Sequence, residues 1–82
     1  MDIVALDGGD LVFIEVKTRT STAFGHPAEA VTPRKLGRLR RLAGAWVSEH
    51  AVRAAGMRID VVAVLTVAGQ RPRLEHVRGV GA

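Results

Sequence analysis

The sequence predicts an α/β domain, a mixed sheet crossed by one helix in the order β-β-α-β-β. Three observations carry that expectation. Two runs rich in β-branched residues flank the turn signal Asp7-Gly8-Gly9-Asp10. Thr32-Pro33 opens a stretch with apolar residues at helical spacing. A valine-rich run then follows Gly56.

Residues 2–6 read as a first strand and 11–17 as a second. Gly8-Gly9 joins them as a hairpin, because glycine supplies the positive φ angles of tight turns. Residues 18–31, with Ser, Thr, Gly and Pro, read as a loop. Threonine caps the free N–H groups of a helix and proline suits its first position, so the helix starts at Thr32-Pro33 and runs to about His50. Leu36, Leu39, Ala43, Trp46 and Val47 form its apolar stripe. Val52 would fall on the polar face, which argues for a break before it. A third strand is expected over about 58–67, a turn over Gly69 to Pro72, and a fourth strand over 73–78. A strand–helix–strand passage implies a parallel crossover.

The 82 residues make one domain, 1–82. No apolar run approaches the ~18 residues that cross a bilayer, and Met1-Asp2-Ile3-Val4 lacks the features of a secretory signal. A cytoplasmic location is the expectation. The absence of cysteine excludes disulfides and thiolate metal sites. The net charge of +4, with ten arginines against two lysines, suits a nucleic-acid binder. A genome rich in G and C would give the same bias, so the placement of charge decides more than its total. Arg34, Arg38 and Arg41 fall within about 60° on the helix side opposite the stripe. Such a ridge could follow a phosphate backbone or be a solvated face. Lys35 borders the stripe and is expected to point toward the sheet edge.

Side chains alternate along a strand, so Leu11, Phe13, Glu15 and Lys17 share one face of the second strand and Val12, Ile14 and Val16 the other. The wholly apolar set is expected under the helix, with Glu15 and Lys17 on the opposite face. Across the Gly8-Gly9 turn, paired positions sum to seventeen, so Asp2 opposes Glu15 and Lys17 lies diagonally from Asp2. Opposed carboxylates repel, and such a pair is usually kept because a cation sits between them. Two oxygen ligands without sulfur suit Mg²⁺, an ion that polarises phosphoryl oxygens. A lysine beside it can offset developing charge on phosphorus. The competing view is a surface hairpin with an ordinary exposed Glu–Lys pair, since Glu-x-Lys is a common tripeptide. Asp60 is expected in a structural ion pair with Arg58 or an arginine elsewhere, Glu29 as a neighbour of the site, and His26, His50 and His76 as structural or solvated.

Asp2-Ile-Val-Ala, a short turn and Leu11-Val-Phe-Ile-Glu-Val-Lys-Thr-Arg19 resemble the D…E-x-K signature of PD-(D/E)XK nucleases. With Phe24-Gly25-His26-Pro27-Ala28-Glu29-Ala30-Val31, Thr32-Pro33-Arg34-Lys35 and Arg58-Ile59-Asp60-Val61-Val62-Ala63-Val64, nearly the whole chain resembles the YraN-like family, usually placed in that superfamily. The resemblance implies a restriction-endonuclease-like core with Asp2, Glu15 and Lys17 as catalytic residues, and Asp2 and Glu15 holding Mg²⁺ or Mn²⁺. It implies DNA as the partner, branched or structured forms included, contacted by Arg19, Arg34, Lys35, Arg38 and Arg41. Family members begin with a further helix and strand leading into Gly-Glu-x-Asp, so the chain reads as lacking that first helix and strand. A module that keeps the fold and binds nucleic acid without cleaving it is the rival reading. A bare strand edge and a small core further predict a homodimer.

Overall fold

The computed structural model describes residues 3–20 and 31–81. Its elements are β1 (Ile3–Asp7), β2 (Asp10–Arg19), α1 (Pro33–His50), β3 (Gly56–Leu65) and β4 (Arg73–Val77). They form one sheet in the order β1-β2-β3-β4, antiparallel at both margins and parallel between β2 and β3. The fold is the α/β arrangement β-β-α-β-β that the sequence predicts. Among the described residues, no helix is long and apolar enough to cross a membrane.

The hairpin follows from its turn. Gly8 and Gly9 both take positive φ, 58° and 106°, which matches the twist of the flanking strands. Pairing then runs from Asp7↔Asp10 through Leu6↔Leu11 and Val4↔Phe13 to Ile3↔Ile14, the expected sum of seventeen throughout. β2 continues past Lys17 to Arg19 because β3 pairs with it along its whole length, from Asp10↔Gly56 to Arg19↔Leu65. That ladder also starts β3 earlier than the sequence suggests. A Cβ at Gly56 would lie 2.9 Å from Asp10 Oδ1, so the close approach at the first rung suits glycine.

The Thr32 side chain accepts a hydrogen bond from the Lys35 N–H at 3.2 Å, and Pro33 occupies the first turn. Val31 just before the cap and Leu36 in the second turn both join the core, the pattern that fixes a chain's entry into a helix. Ala51 ends the helix with φ 49°. This left-handed residue turns the chain so that Val52, which a continued helix would send to solvent, packs against the core instead.

Leu11, Phe13, Val31, Leu39, Ala43, Ile59 and Val61 form that core, flanked by Val4, Leu36, Trp46, Val47, Val52 and Val80. Trp46 meets Phe13 edge to face, with centroids 5.9 Å apart and planes at 81°. The helix therefore covers the Leu11–Phe13 face of β2, not the Val12–Ile14–Val16 face. The physical reason lies in β3. Val12 and Ile14 stand in register with Arg58 and Asp60, and the part-exposed Arg58 is a charge that a helix could cover only at a desolvation cost. Leu11 and Phe13 stand beside Met57 and Ile59. Glu15 and Lys17 thus lie on the helix-bearing face, further along β2 than the core. Truncating Phe13 empties the centre of this layer. Phe13→Ala is expected to cost about 3–5 kcal/mol, near the whole stability of a domain this small, and urea denaturation should show the variant largely unfolded at 25 °C.

Candidate functional site

The second half of β2 carries Glu15 and Lys17 on one face, with Lys17 Nζ 3.2 Å from Glu15 Oε1. Their β3 neighbours in register are Val61 and Ala63. Val61 is fully buried, so the carboxylate stands at the margin of the apolar core while its side chain keeps 18% exposure and that of Lys17 23%. The pair is held in place yet open to solvent. Arg19, two residues on, shares this face by alternation, and its Nη1 donates to the Thr18 carbonyl at 3.1 Å. Asp2 lies outside the described residues. The pairing next to it, Ile3↔Ile14, keeps the register on which its opposition to Glu15 is expected.

Arg34, Lys35, Arg38 and Arg41 are all exposed on α1. Arg34, Arg38 and Arg41 make no ion pair among the described residues. Arg40 points elsewhere, its Nη2 donating to the Gly81 carbonyl at 2.9 Å. Glu29 and His26 lie outside the described residues. His50 stacks on Trp46 with planes 9° apart, and its Nδ1 lies 2.7 Å from the Trp46 carbonyl oxygen. Among the described residues, no three His, Cys, Asp or Glu side chains gather where one metal ion could be held.

The opposite sheet face holds a polar network centred on Asp60, which is fully buried. Its Oδ1 accepts from Arg58 Nε at 3.1 Å and from the Gly79 N–H at 3.0 Å, and its Oδ2 meets His76 Nε2 at 2.8 Å. Arg58 reaches on across β2, with Nη2 2.8 Å from Asp7 and Nη1 3.4 Å from Asp10. The sequence offers Arg58 as one possible partner of Asp60, and the structure selects it; Asp7, Asp10 and His76 are additions of the structure. One signal for the aspartates was available: Asp7 and Asp10 also sum to seventeen, so two carboxylates oppose each other across the turn. The cation between them is Arg58. Its hydrogen bond and charge hold the Asp7 carboxyl below the usual range. The bond to Asp7, together with Asp60, raises Arg58 above its ordinary value. Burial pushes Asp60 up, but hydrogen bonds from Gly79, His76 and Arg58 outweigh it and hold this carboxyl low as well.

A family model described as uncharacterised protein family UPF0102 matches residues 1–64. The chain belongs to this family. It is 62% identical over 81 residues to a UPF0102 protein of Beutenbergia cavernae, covering 99% of this chain and 69% of that relative. A UPF0102 protein of Arthrobacter sp. is 59% identical over the same shares. A third, from Renibacterium salmoninarum, is 53% identical, again over 99% of this chain and 69% of the relative. The span matched by the UPF0102 model takes in Asp2, Glu15, Lys17, the arginines of α1, Arg58 and Asp60, and stops before β4. His76 and Gly79 therefore complete the Asp60 network from beyond that span.

This network makes stability depend on acid. Carboxyls held low in the folded chain contribute stability above the unfolded value near ~3.9, and that contribution is lost as pH falls through their folded values. The unfolding free energy should therefore be flat above about pH 5 and decline steadily below about pH 4. Asp60→Asn should lower stability at pH 7 and flatten that decline. Denaturation curves from pH 2 to 7 on both proteins measure it, and equal slopes would remove Asp60 as the source.

Proposed function

We propose that this UPF0102 protein is a Mg²⁺-dependent (or Mn²⁺-dependent) endonuclease-like protein that hydrolyses phosphodiester bonds in DNA, including branched or structured forms. The observation that carries the reading is the Glu15–Lys17 contact, 3.2 Å long and solvent-accessible at the margin of the core, on a strand whose register leads toward Asp2. The donor set fits a hard divalent ion, because carboxylate oxygens are the ligands such ions take. Asp2 and Glu15 would hold it, and when bound it supplies positive charge that polarises a phosphoryl oxygen.

The chain's own groups account for the rest. In hydrolysis, water oxygen bonds to phosphorus as one ester P–O bond breaks, and the water's proton ends on the leaving oxygen. Lys17 holds an ammonium beside Glu15, where it can donate to the attacking water or to the phosphoryl oxygens as negative charge builds. Arg34, Arg38 and Arg41 present exposed guanidiniums one helical turn apart, with Lys35 in the first turn of α1 and Arg19 at the end of β2. Guanidinium groups match phosphate geometry with paired donors. A two-fold pair of chains belongs to the same reading, because β1 pairs only with β2 among the described strands and so offers an edge.

Glu15→Gln should lower Mg²⁺-dependent cleavage of plasmid and four-way-junction DNA by roughly 100-fold or more while leaving DNA affinity within about twofold. Undiminished cleavage would remove Glu15 from the site. Tight DNA binding by the parent chain without Mg²⁺-dependent cleavage would instead favour the non-cleaving module. The ridge has its own test. Changing Arg34, Arg38 and Arg41 together to Gln should weaken duplex and branched DNA alike. It should also reduce the slope of log K against log salt by about 0.9 for each phosphate that an arginine no longer neutralises. An unchanged slope would leave the ridge as a solvated surface.

A further inference from the structure

The pairing that places Glu15 and Lys17 extends across β3 to β4. Glu15 stands opposite Val61 and Val61 opposite Val77; Lys17 opposite Ala63 and Ala63 opposite Glu75; Arg19 opposite Leu65 and Leu65 opposite Arg73. Directly paired residues share a sheet face. Arg73, which strand periodicity alone does not single out, therefore lies on the face of Glu15, Lys17 and Arg19. Two strand spacings separate it from Arg19, ~9.5 Å. Alternate rows step ~6.8 Å along the strands, so the Arg19–Leu65–Arg73 row is the second beyond Glu15.

The charges in these rows differ in how they are satisfied. Lys17 is engaged by Glu15, and Arg19 and Glu75 each have an interaction of their own. Arg73 is exposed and makes no ion pair among the described residues. Its row sits at the carboxyl ends of the two parallel strands, the end at which α/β sheets receive ligands. An exposed guanidinium at that place, without an ion pair among the described residues and on the face of Glu15 and Lys17, is suited to an anion with planar, paired acceptors.

We propose that Arg73, across Leu65 from Arg19, forms a seat for a backbone phosphate of the DNA strand next to the Glu15–Lys17 pair. This rests on the nuclease-like reading above. The seat lies on the sheet, apart from the α1 ridge, and gives the strand a second line of contact that leads to the reacting phosphate. The ridge would hold the duplex broadly. The sheet row would set which phosphate lies beside Lys17.

The experiment measures affinity of duplex and four-way-junction DNA by fluorescence anisotropy between 50 and 300 mM salt, for the parent chain, Arg73→Gln and Arg53→Gln. Arg53 is also exposed but lies beyond the end of α1, so it reports a general loss of one charge. Arg73→Gln is expected to weaken binding roughly fivefold to tenfold at 0.1 M salt and to lower the salt slope by about 0.9, with Arg53→Gln close to the parent. Equal effects of the two variants, or none from Arg73→Gln, would overturn the seat and leave the nuclease-like reading standing. A parent chain with no salt-dependent DNA binding would overturn both.

Discussion

The parallel ladder between β2 and β3 is the constraint from which the rest of the molecule follows. Ten rungs join Asp10–Arg19 to Gly56–Leu65. Parallel strands cannot be joined by a tight turn, so the intervening chain must cross over, and α1 is that crossover. The same rungs put Ile59 and Val61 beside Phe13 and Glu15, which builds the core and ends it at the carboxylate. They also put Asp60 beside Ile14 on the other face, where it gathers Arg58, His76 and the Gly79 N–H. One register thus separates an apolar layer with a polar margin from a wholly polar network.

A like-charge problem arises at the hairpin turn, and the structure shows how it is resolved. Asp7 and Asp10 oppose each other at the turn, and a guanidinium from β3 lies against both. The cation is a side chain, and the cluster serves the fold by tying β1 to β3 across β2. Glu15 meets a cation of a different kind of reach, the ammonium of Lys17 on its own strand. The Lys17 ammonium lies against one oxygen of Glu15, whereas the Arg58 fork reaches two aspartates, one of them across β2. The Arg58 contacts give Asp7 and Asp10 a structural role.

Much of this was legible in the sequence because local chemistry dictates it. Gly8-Gly9 fixed the hairpin register, and Thr32-Pro33 with the Leu36–Val47 stripe fixed the helix to its last residue, His50. What failed was the side of β2 on which the helix packs. Alternation sorts residues into two faces without saying which is covered, and the purely apolar set Val12–Ile14–Val16 is the better candidate on polarity alone. The decision lay in β3, 46 positions away along the chain at the first rung, where Arg58 and Asp60 occupy one face and Ile59 and Val61 the other. His76 was illegible for a similar reason: its partnership with Asp60 depends on the register of β4, which the long connection from Leu65 to Arg73 through Gly69 does not dictate. Glu15, Lys17 and the exposure of the α1 arginines could be read from strand and helix periodicity alone, whereas Arg73 needed the sheet assembled.

The separation of β2 from β3 along the chain also has a consequence for synthesis. The hairpin forms between neighbouring segments, but β2 has no partner on its other side until residues up to about 65 are free. During that interval a strand rich in Val, Ile and Phe presents an open edge, the condition in which nascent chains pair wrongly with one another. Closing so long a loop is also slow compared with forming a helix or hairpin. The charged residues that interrupt β2 at Glu15, Lys17 and Arg19 then act as gatekeepers in the nascent chain, keeping the strand soluble while it waits. A variant that made this strand wholly apolar would meet its first difficulty in translation, before any question of catalysis arose.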